Sequence, residues 1–190
     1  QPLATATAGE LNYYFTNVVF TPASASGALQ FAATPVSGDA SLLLDAVSMV
    51  QRGAGDIVLR NPSFEASGFP AGVGYIQPKL ISGWTTELAN WGVNLDGEGP
   101  FANNGVAQDQ DLVLFLQGAG AYVSQSVSGV AAGVKHTLIF ALNARQHASN
   151  VTRARVSFAG EVLLEEEVTP VGPLNPYYAK YLVFTPAGTE

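Results

Sequence analysis

The sequence predicts an all-β protein, a sandwich or jelly roll built from short strands. Runs rich in β-branched and aromatic residues recur along the 190 residues, separated by clusters of Gly, Pro, Asn and Ser. No segment keeps a helical period free of Gly and Pro, and 20 Gly and 11 Pro are typical of a chain with many turns. The strand-like runs are 18–20, 57–59, 112–116, 122–127, 136–142, 153–158 and 181–184.

The first strand-like segment is repeated near the C-terminus. The repeated residues are Tyr13, Tyr14, Val19, Phe20, Thr21 and Pro22, which return in the same order as Tyr177, Tyr178, Val183, Phe184, Thr185 and Pro186. A fixed spacing of this size indicates that one stretch of a domain occurs twice. The first copy is followed by an apolar run at 41–50, and nothing equivalent follows the second. We therefore expect the N-terminus to carry strands that the C-terminal module needs.

The polar, Gly-rich stretch 51–56 predicts the boundary between these parts. We divide the chain into a complementing segment, 1–50, a linker, 51–56, and a main jelly-roll module, 57–190. Three arrangements are open: a piece of a tandem array, a permuted single domain, or strand donation to a neighbouring subunit. The residues predicted to serve as assembly strands are Tyr13, Val19, Phe20, Phe31, Leu43 and Val47.

The composition predicts an extracellular protein. Only 12% of the residues are charged, while 47% are hydrophobic. A net charge of −7 with 8 Lys and Arg argues against nucleic acid and anionic membrane as partners. No apolar run reaches the roughly 20 residues that span a bilayer, so we expect no membrane insertion. The absence of Cys excludes disulfides and thiolate metal sites.

Several short motifs resemble those of one fold family. Asn61-Pro62-Ser63-Phe64-Glu65 resembles an Asn-x-x-Phe-Glu opening, Ile81-Ser82-Gly83-Trp84 a Gly-Trp element, and 133–140 a Gly-x-x-Tyr-x-Leu-x-Phe strand. They are similar to the galactose-binding-like jelly rolls, which include carbohydrate-binding modules and the DUF642 domains. The closing strand of that family is matched by 42–48, which here precedes the opening motif, so the strand order is rotated.

The resemblance also implies a structural calcium ion. In related jelly rolls the Glu of the opening motif and the Asp of the closing strand help to hold Ca2+, and these would be Glu65 and Asp45. Calcium needs six to eight oxygens, so backbone carbonyls would supply much of its shell. The alternative is a Glu that caps a turn and an Asp bonded to backbone amides.

Aromatic and amide side chains make sugar binding the second hypothesis. Trp91, Tyr75 and Tyr122 offer flat apolar faces for pyranose rings, with Asn94 as a hydrogen-bonding partner. Trp84 is expected in the core. Trp91, between Asn90 and Gly92, is expected in an exposed loop.

We expect no catalytic activity. No nucleophile elbow, phosphate-binding loop or zinc-protease helix occurs, and Asp109 and Asp111 are better explained as a polar strand entry than as a glycosidase pair. The sequence thus predicts a non-catalytic structural repeat of a surface filament, assembled from copies of itself. The alternative is a carbohydrate-binding module for a polysaccharide.

Overall fold

A computed structural model describes residues 14–20, 26–37, 39–67, 75–76, 81–87, 91–146 and 151–186 of the chain. Within these ranges two short 3-10 turns, Glu65–Ser67 and Gly99–Phe101, interrupt a succession of strands. The strands are β1 (Tyr14–Phe20), β2 (Ser26–Pro35), β3 (Ser41–Gln51), β4 (Gly55–Ile57), β5 (Tyr75–Ile76), β6 (Thr85–Glu87), β7 (Trp91–Leu95), β8 (Leu112–Gln117), β9 (Ala121–Ser128), β10 (His136–Ala144), β11 (Thr152–Phe158), β12 (Glu161–Val168) and β13 (Tyr178–Pro186).

These strands form two sheets packed as a sandwich. The large sheet has the order β1-β13-β10-β3-β8-β7-β5, with β4 attached to β3, and the small sheet has the order β12-β11-β2-β9-β6. Each described ladder is antiparallel except the one between β1 and β13. The all-β prediction is confirmed, and the arrangement is consistent with a jelly-roll-like fold.

Alternation of buried and exposed side chains explains which strands have a solvated face. In β9 the residues Ala121, Val123, Gln125 and Val127 are buried while their neighbours are more exposed, as expected for a strand with one face on the core. In β3 the run 41–45 is buried on both faces. Burial of every residue along this run indicates a strand whose outer face is also covered.

Two apolar clusters account for this difference. The main core lies between the sheets, where the Phe31 ring meets Trp84 at 6.1 Å and Phe140 at 5.1 Å, both edge to face. A second core covers the outer side of the large sheet near β3, β8 and β10. Its residues are Leu43, Phe101, Val113, Phe115, Ala141, Val171 and Tyr177.

β2 and β3 lie in the interior of the small and the large sheet, respectively. β2 is hydrogen-bonded between β11 and β9, and β3 between β10 and β8. The predicted linker 51–56 is the turn of the β3–β4 hairpin, where Ala54 N–H donates to the Gln51 carbonyl. Within this chain the segment before residue 51 therefore pairs with strands of the module that follows it.

Two details differ from the predicted strands. Ile57 ends β4, and residues 58–59 are not in a strand. Trp91 begins a strand instead of a loop, because β7 pairs with β8 along its whole length. The charge run at 165–167 lies inside β12, an edge strand, where Glu165 and Glu167 form exposed ion pairs with Arg153 and Arg155.

The resemblance motifs converge at one junction of the sandwich. The Trp84 indole N–H donates to the Asn61 carbonyl at 2.9 Å, and its ring lies 5.6 Å from that of Phe64. The buried Gln125 accepts from Arg60 N–H and donates to the carbonyls of Arg60 and Gly83. Because Gln125 bonds both backbone groups of the residue before the opening motif and the carbonyl of Gly83, it fixes the start of that motif against the Gly-Trp turn.

We predict that Gly83→Ala destabilises the protein more than the matched variant Gly53→Ala. Both glycines have positive φ, +81° and +82°, so each Ala costs about 1–2 kcal/mol of backbone strain. A Cβ at Gly83 would also lie 2.7 Å from Arg60 Cβ, whereas nothing lies within 4 Å at Gly53. We expect roughly 1–3 kcal/mol of additional loss at Gly83, measured by urea unfolding. Equal losses in the two variants would contradict the close approach to Arg60.

Candidate functional site

The predicted acidic pair lies at a loop that leads into β8. Asp45 projects from β3 and is fully buried. Its Oδ1 accepts a hydrogen bond from Ala46 N–H at 2.7 Å, and its Oδ2 accepts from the amides of Gln108 and Asp109, both at 2.9 Å. Ala46 has φ of 53°, a left-handed conformation in the middle of the strand. The strand thus bends locally where its carboxylate turns toward the loop.

Glu65 holds the other end of the same loop. It begins the 3-10 turn Glu65–Ser67, and its Oε1 accepts from Asp111 N–H at 3.0 Å and Leu112 N–H at 2.6 Å. Asp45 and Glu65 therefore bind successive amides of one segment, residues 108–112, which we call the acid-held loop. The closing strand and the opening motif are joined through this loop.

Burial gives Asp45 an unusual titration. Removal from water raises the pKa of its carboxyl group from 3.8 to about 6, and the nearby charge of Asp109 adds to the rise. The three amide donors oppose this rise because they stabilise the charged form. Asp45 therefore exchanges its proton in the mildly acidic range.

A second buried polar group lies beside Asp45 on the outer side of the large sheet. Burial raises the pKa of the Tyr177 phenol, the charges of Asp96 and Asp45 raise it further, and a hydrogen bond with Asn143 opposes them. Asn143 Oδ1 accepts from the amides of Ala144 and Val171 at 2.8 and 3.0 Å. These contacts attach the segment before β13 to β10.

Carboxylate oxygens of Asp45 and Glu65, which a calcium ion would use as ligands, already have hydrogen-bond donors. Both oxygens of Asp45 and one oxygen of Glu65 accept backbone amides, which supply the positive dipoles that an ion would otherwise supply. Among the described residues no group of three or more His, Asp or Glu side chains is placed to hold a metal. The contacts correspond to the amide-bonded alternative, and calcium binding stays a prediction.

The four predicted sugar ligands do not form one exposed site: three lie on the neighbouring strands β5 and β7, and the fourth lies on β9. Trp91 is only 8% exposed and belongs to the main core, so the expectation that it offers an exposed platform was wrong. Asn94 is 2% exposed, and its Nδ2 donates to the carbonyls of Leu95 and Glu98. Tyr75 pairs with Asn94 in the ladder between β5 and β7, but its side chain is outside the described part. Tyr122 is half-buried on β9, in the other sheet.

The predicted assembly residues fall on three strands with different surroundings. Phe31 on β2 and Leu43 and Val47 on β3 are buried at 0–2% exposure. Val19 and Phe20 lie on β1, which pairs with β13, while Tyr13 is outside the described residues. The two copies of the repeated sequence thus lie side by side and run in the same direction.

The sequence reasoning missed three residues with specific contacts. Gln125 was seen only as part of a strand motif, although it bonds three backbone groups. Lys180 and Glu166 form an ion pair at 2.5 Å across the two sheets, with only 7% and 20% of their side chains exposed. An alternating strand with Lys at a core-facing position was the available signal for this pair.

Comparisons with known proteins add no assignment. No protein-family model matches the chain, and no curated protein or solved structure matches it significantly. In the described part of the chain, no helix has the length and apolar character to cross a membrane.

The titration of Asp45 predicts a pH-dependent contribution to stability. Because its pKa is higher in the folded protein than in the unfolded chain, the folded state binds more protons between pH 3.8 and about 6. The contribution of Asp45 is therefore largest below the lower pKa and is lost as the pH rises to about 6. Relative to Asp45→Asn, the wild type should lose up to about 3 kcal/mol of unfolding free energy between about pH 4 and pH 7.

This difference is measured by urea unfolding of both proteins over that pH range. Subtracting the two free energies of unfolding removes the contributions of other titrating groups, such as His136, that both proteins share. Asp56→Asn, which removes an exposed carboxylate, controls for the change in net charge. A difference between wild type and Asp45→Asn that does not change with pH would contradict the buried, proton-exchanging carboxylate.

Proposed function

We propose that this chain is a non-catalytic structural subunit of an extracellular filament or array, joined head to tail to copies of itself by β-strand complementation. The observation that carries the proposal is the position of the N-terminal strands. β2 and β3 are the central partners of strands that come much later in the chain. β1 lies beside β13, which contains the second copy of the repeated residues.

The pairing of β1 with β13 would allow another copy to donate its β1–β3 segment and form the same ladders as those within one chain. Phe20, which leads toward β2, is the ladder partner of Pro186 at the end of β13. A β1–β3 segment from another copy would enter beside β13 and meet the same ladders with β11, β9, β10 and β8. Closed monomers and exchanged assemblies then differ mainly at the hinge, Arg52–Ala54, between β3 and β4.

The strand surfaces support exchange through pairing. β2 places Leu29, Phe31 and Ala33 in the main core, and β3 places Leu42, Leu44 and Val47 there. A module without these strands would expose two sheet edges and a slice of apolar core, which drives recruitment of matching strands. The low content of charged residues suits an extracellular polymer.

Carbohydrate binding is the second candidate, as a module of galactose-binding-like type. The convergence of the Asn61, Trp84 and Gln125 contacts supports that relationship. Tyr122 is the predicted ligand residue with a partly exposed, described side chain, and its ladder neighbours are Ala32 and Glu87. Pull-down on insoluble polysaccharides, with Tyr122→Ala against the half-buried control Tyr181→Ala, tests this candidate.

Calcium at Asp45 and Glu65 would strengthen the acid-held loop. The ion would have to replace or share amide contacts, because the carboxylates already accept them. If calcium binds, millimolar CaCl2 raises the unfolding temperature of the wild type and leaves that of Asp45→Asn unchanged. An equal response to CaCl2 and MgCl2 in both proteins would contradict a calcium site.

The filament proposal predicts assemblies of the purified chain. We expect negative-stain electron microscopy to show filaments with a repeat of about 40–50 Å, the length of one domain of this size. Light scattering on the same sample should give masses well above that of one chain. A monodisperse particle of one chain mass at all concentrations would overturn the proposal and leave the carbohydrate-binding candidate.

A further inference from the structure

β1 is attached to the sandwich by a single ladder. It pairs with β13 from Tyr14↔Lys180 to Phe20↔Pro186 and forms one edge of the large sheet. β2 and β3 each have ladders on both sides. Leaving its place therefore costs β1 far fewer backbone hydrogen bonds than β2 or β3 would lose.

β13, the neighbour of β1 in the large sheet, has a feature that is typical of edge strands. On β13 the buried positions alternate, and Lys180 faces inward on the same side as Leu182 and Phe184. Its ammonium group reaches Glu166 of β12, the edge strand of the small sheet. Inward-pointing charge is a device by which natural edge strands avoid uncontrolled pairing. β13 thus remains suited to a state in which β1 does not cover it.

β1 and β13 are two copies of one repeated segment that pair with each other. The ladder pairs each β1 residue with the position two residues beyond its sequence counterpart in β13. The offset between the two copies is thus an even number of residues, which matches the two-residue period of a strand. Each chain therefore carries one strand and one edge that fit each other, which is the requirement for a heterologous contact between identical subunits.

We infer that β1 is the strand that crosses between copies, pairing in parallel with β13 of a second copy while β2 and β3 stay in their own module. This inference rests on the proposed function, because it names the segment and the edge through which the copies join. It replaces donation of the whole 1–50 segment by donation of β1 alone.

The connection between β1 and β2 limits how the copies are arranged. Five residues, 21–25, join Phe20 to Ser26. Fully extended, they span about 20 Å. The β13 edge of the acceptor must therefore lie within about that distance of the start of β2 in the donor. Neighbouring modules in such an assembly must consequently lie close to one another.

Cysteine pairing tests the inference, because the chain has no native Cys. Asn17 and Val183 are ladder partners, a position where a disulfide can form. Chains carrying Asn17→Cys alone and chains carrying Val183→Cys alone, with tags of different size, are mixed in denaturant, refolded together and oxidised. The control pairs Val183→Cys with Ser126→Cys, an exposed position on β9. Light scattering of the wild-type chain refolded in the same way reports assembly.

A disulfide between positions 17 and 183 of different chains, identified by peptide mass spectrometry and at least tenfold above the control pair, is the expected result. A second pair, Thr34→Cys with Arg153→Cys, joins ladder partners of β2 and β11 and should give no interchain disulfide above the control. An equal interchain yield for that second pair would show that β2 crosses with β1 and would overturn the inference. Large assemblies without that disulfide would overturn the inference and leave the proposed filament standing. Absence of both the disulfide and the assemblies would overturn both. The disulfide in closed dimers, without larger assemblies, would support exchange of β1 and overturn the head-to-tail filament.

Discussion

Neither sheet of this protein is complete without the strands that come first in the chain. β2 separates β9 from β11, and β3 separates β8 from β10, so that each sheet would fall into two parts if they were removed. Their side chains also fill the main core, where Phe31 contacts both Trp84 and Phe140. The central constraint is therefore one of topology: two adjacent strands must be threaded into the middle of two different layers. The remaining strands of each sheet flank β2 or β3 on both sides.

Such an arrangement depends on contacts that are distant in sequence. β3 pairs with β8 and β10, and β2 with β9 and β11, across intervals of many tens of residues. The cost of closing such loops precedes the energy gained by pairing, which slows folding and prolongs the exposure of unpaired edges. Any second copy present at that stage offers the same strands at the same edges. In the proposed assembly, this interval is when β1 can pair with β13 of a second copy, while β2 and β3 close within their own module.

The fold class and most long strands could be predicted from the sequence, because β8 to β11 and β13 are short apolar runs with clear turn signals. β7 was missed because Gly92 and Asn94 resemble loop residues; only its pairing with β8 reveals a strand. The resemblance brought Asp45 and Glu65 to one place, and the structure does join them through the acid-held loop. Their partners are backbone amides, which carry no side-chain signal in the sequence. The same reason hid the role of Gln125, whose bonds all go to the backbone.

The repeated strand raises the question of which copy occupies the place beside β10. Most apolar positions are similar in the two copies, so the hydrophobic effect discriminates weakly between them. The clearest polar difference is at the fourth position of the repeat, where β13 has Lys180 and β1 has Thr16. Only Lys180 can form the ion pair with Glu166, and a partly buried Glu166 left without a cation would carry a desolvation cost. A buried ion pair adds little net stability, but it distinguishes two otherwise similar strands, since the wrong strand leaves a charge unpaired. Lys180 and Glu166 thereby assign β13 to the place beside β10 and β1 to the edge.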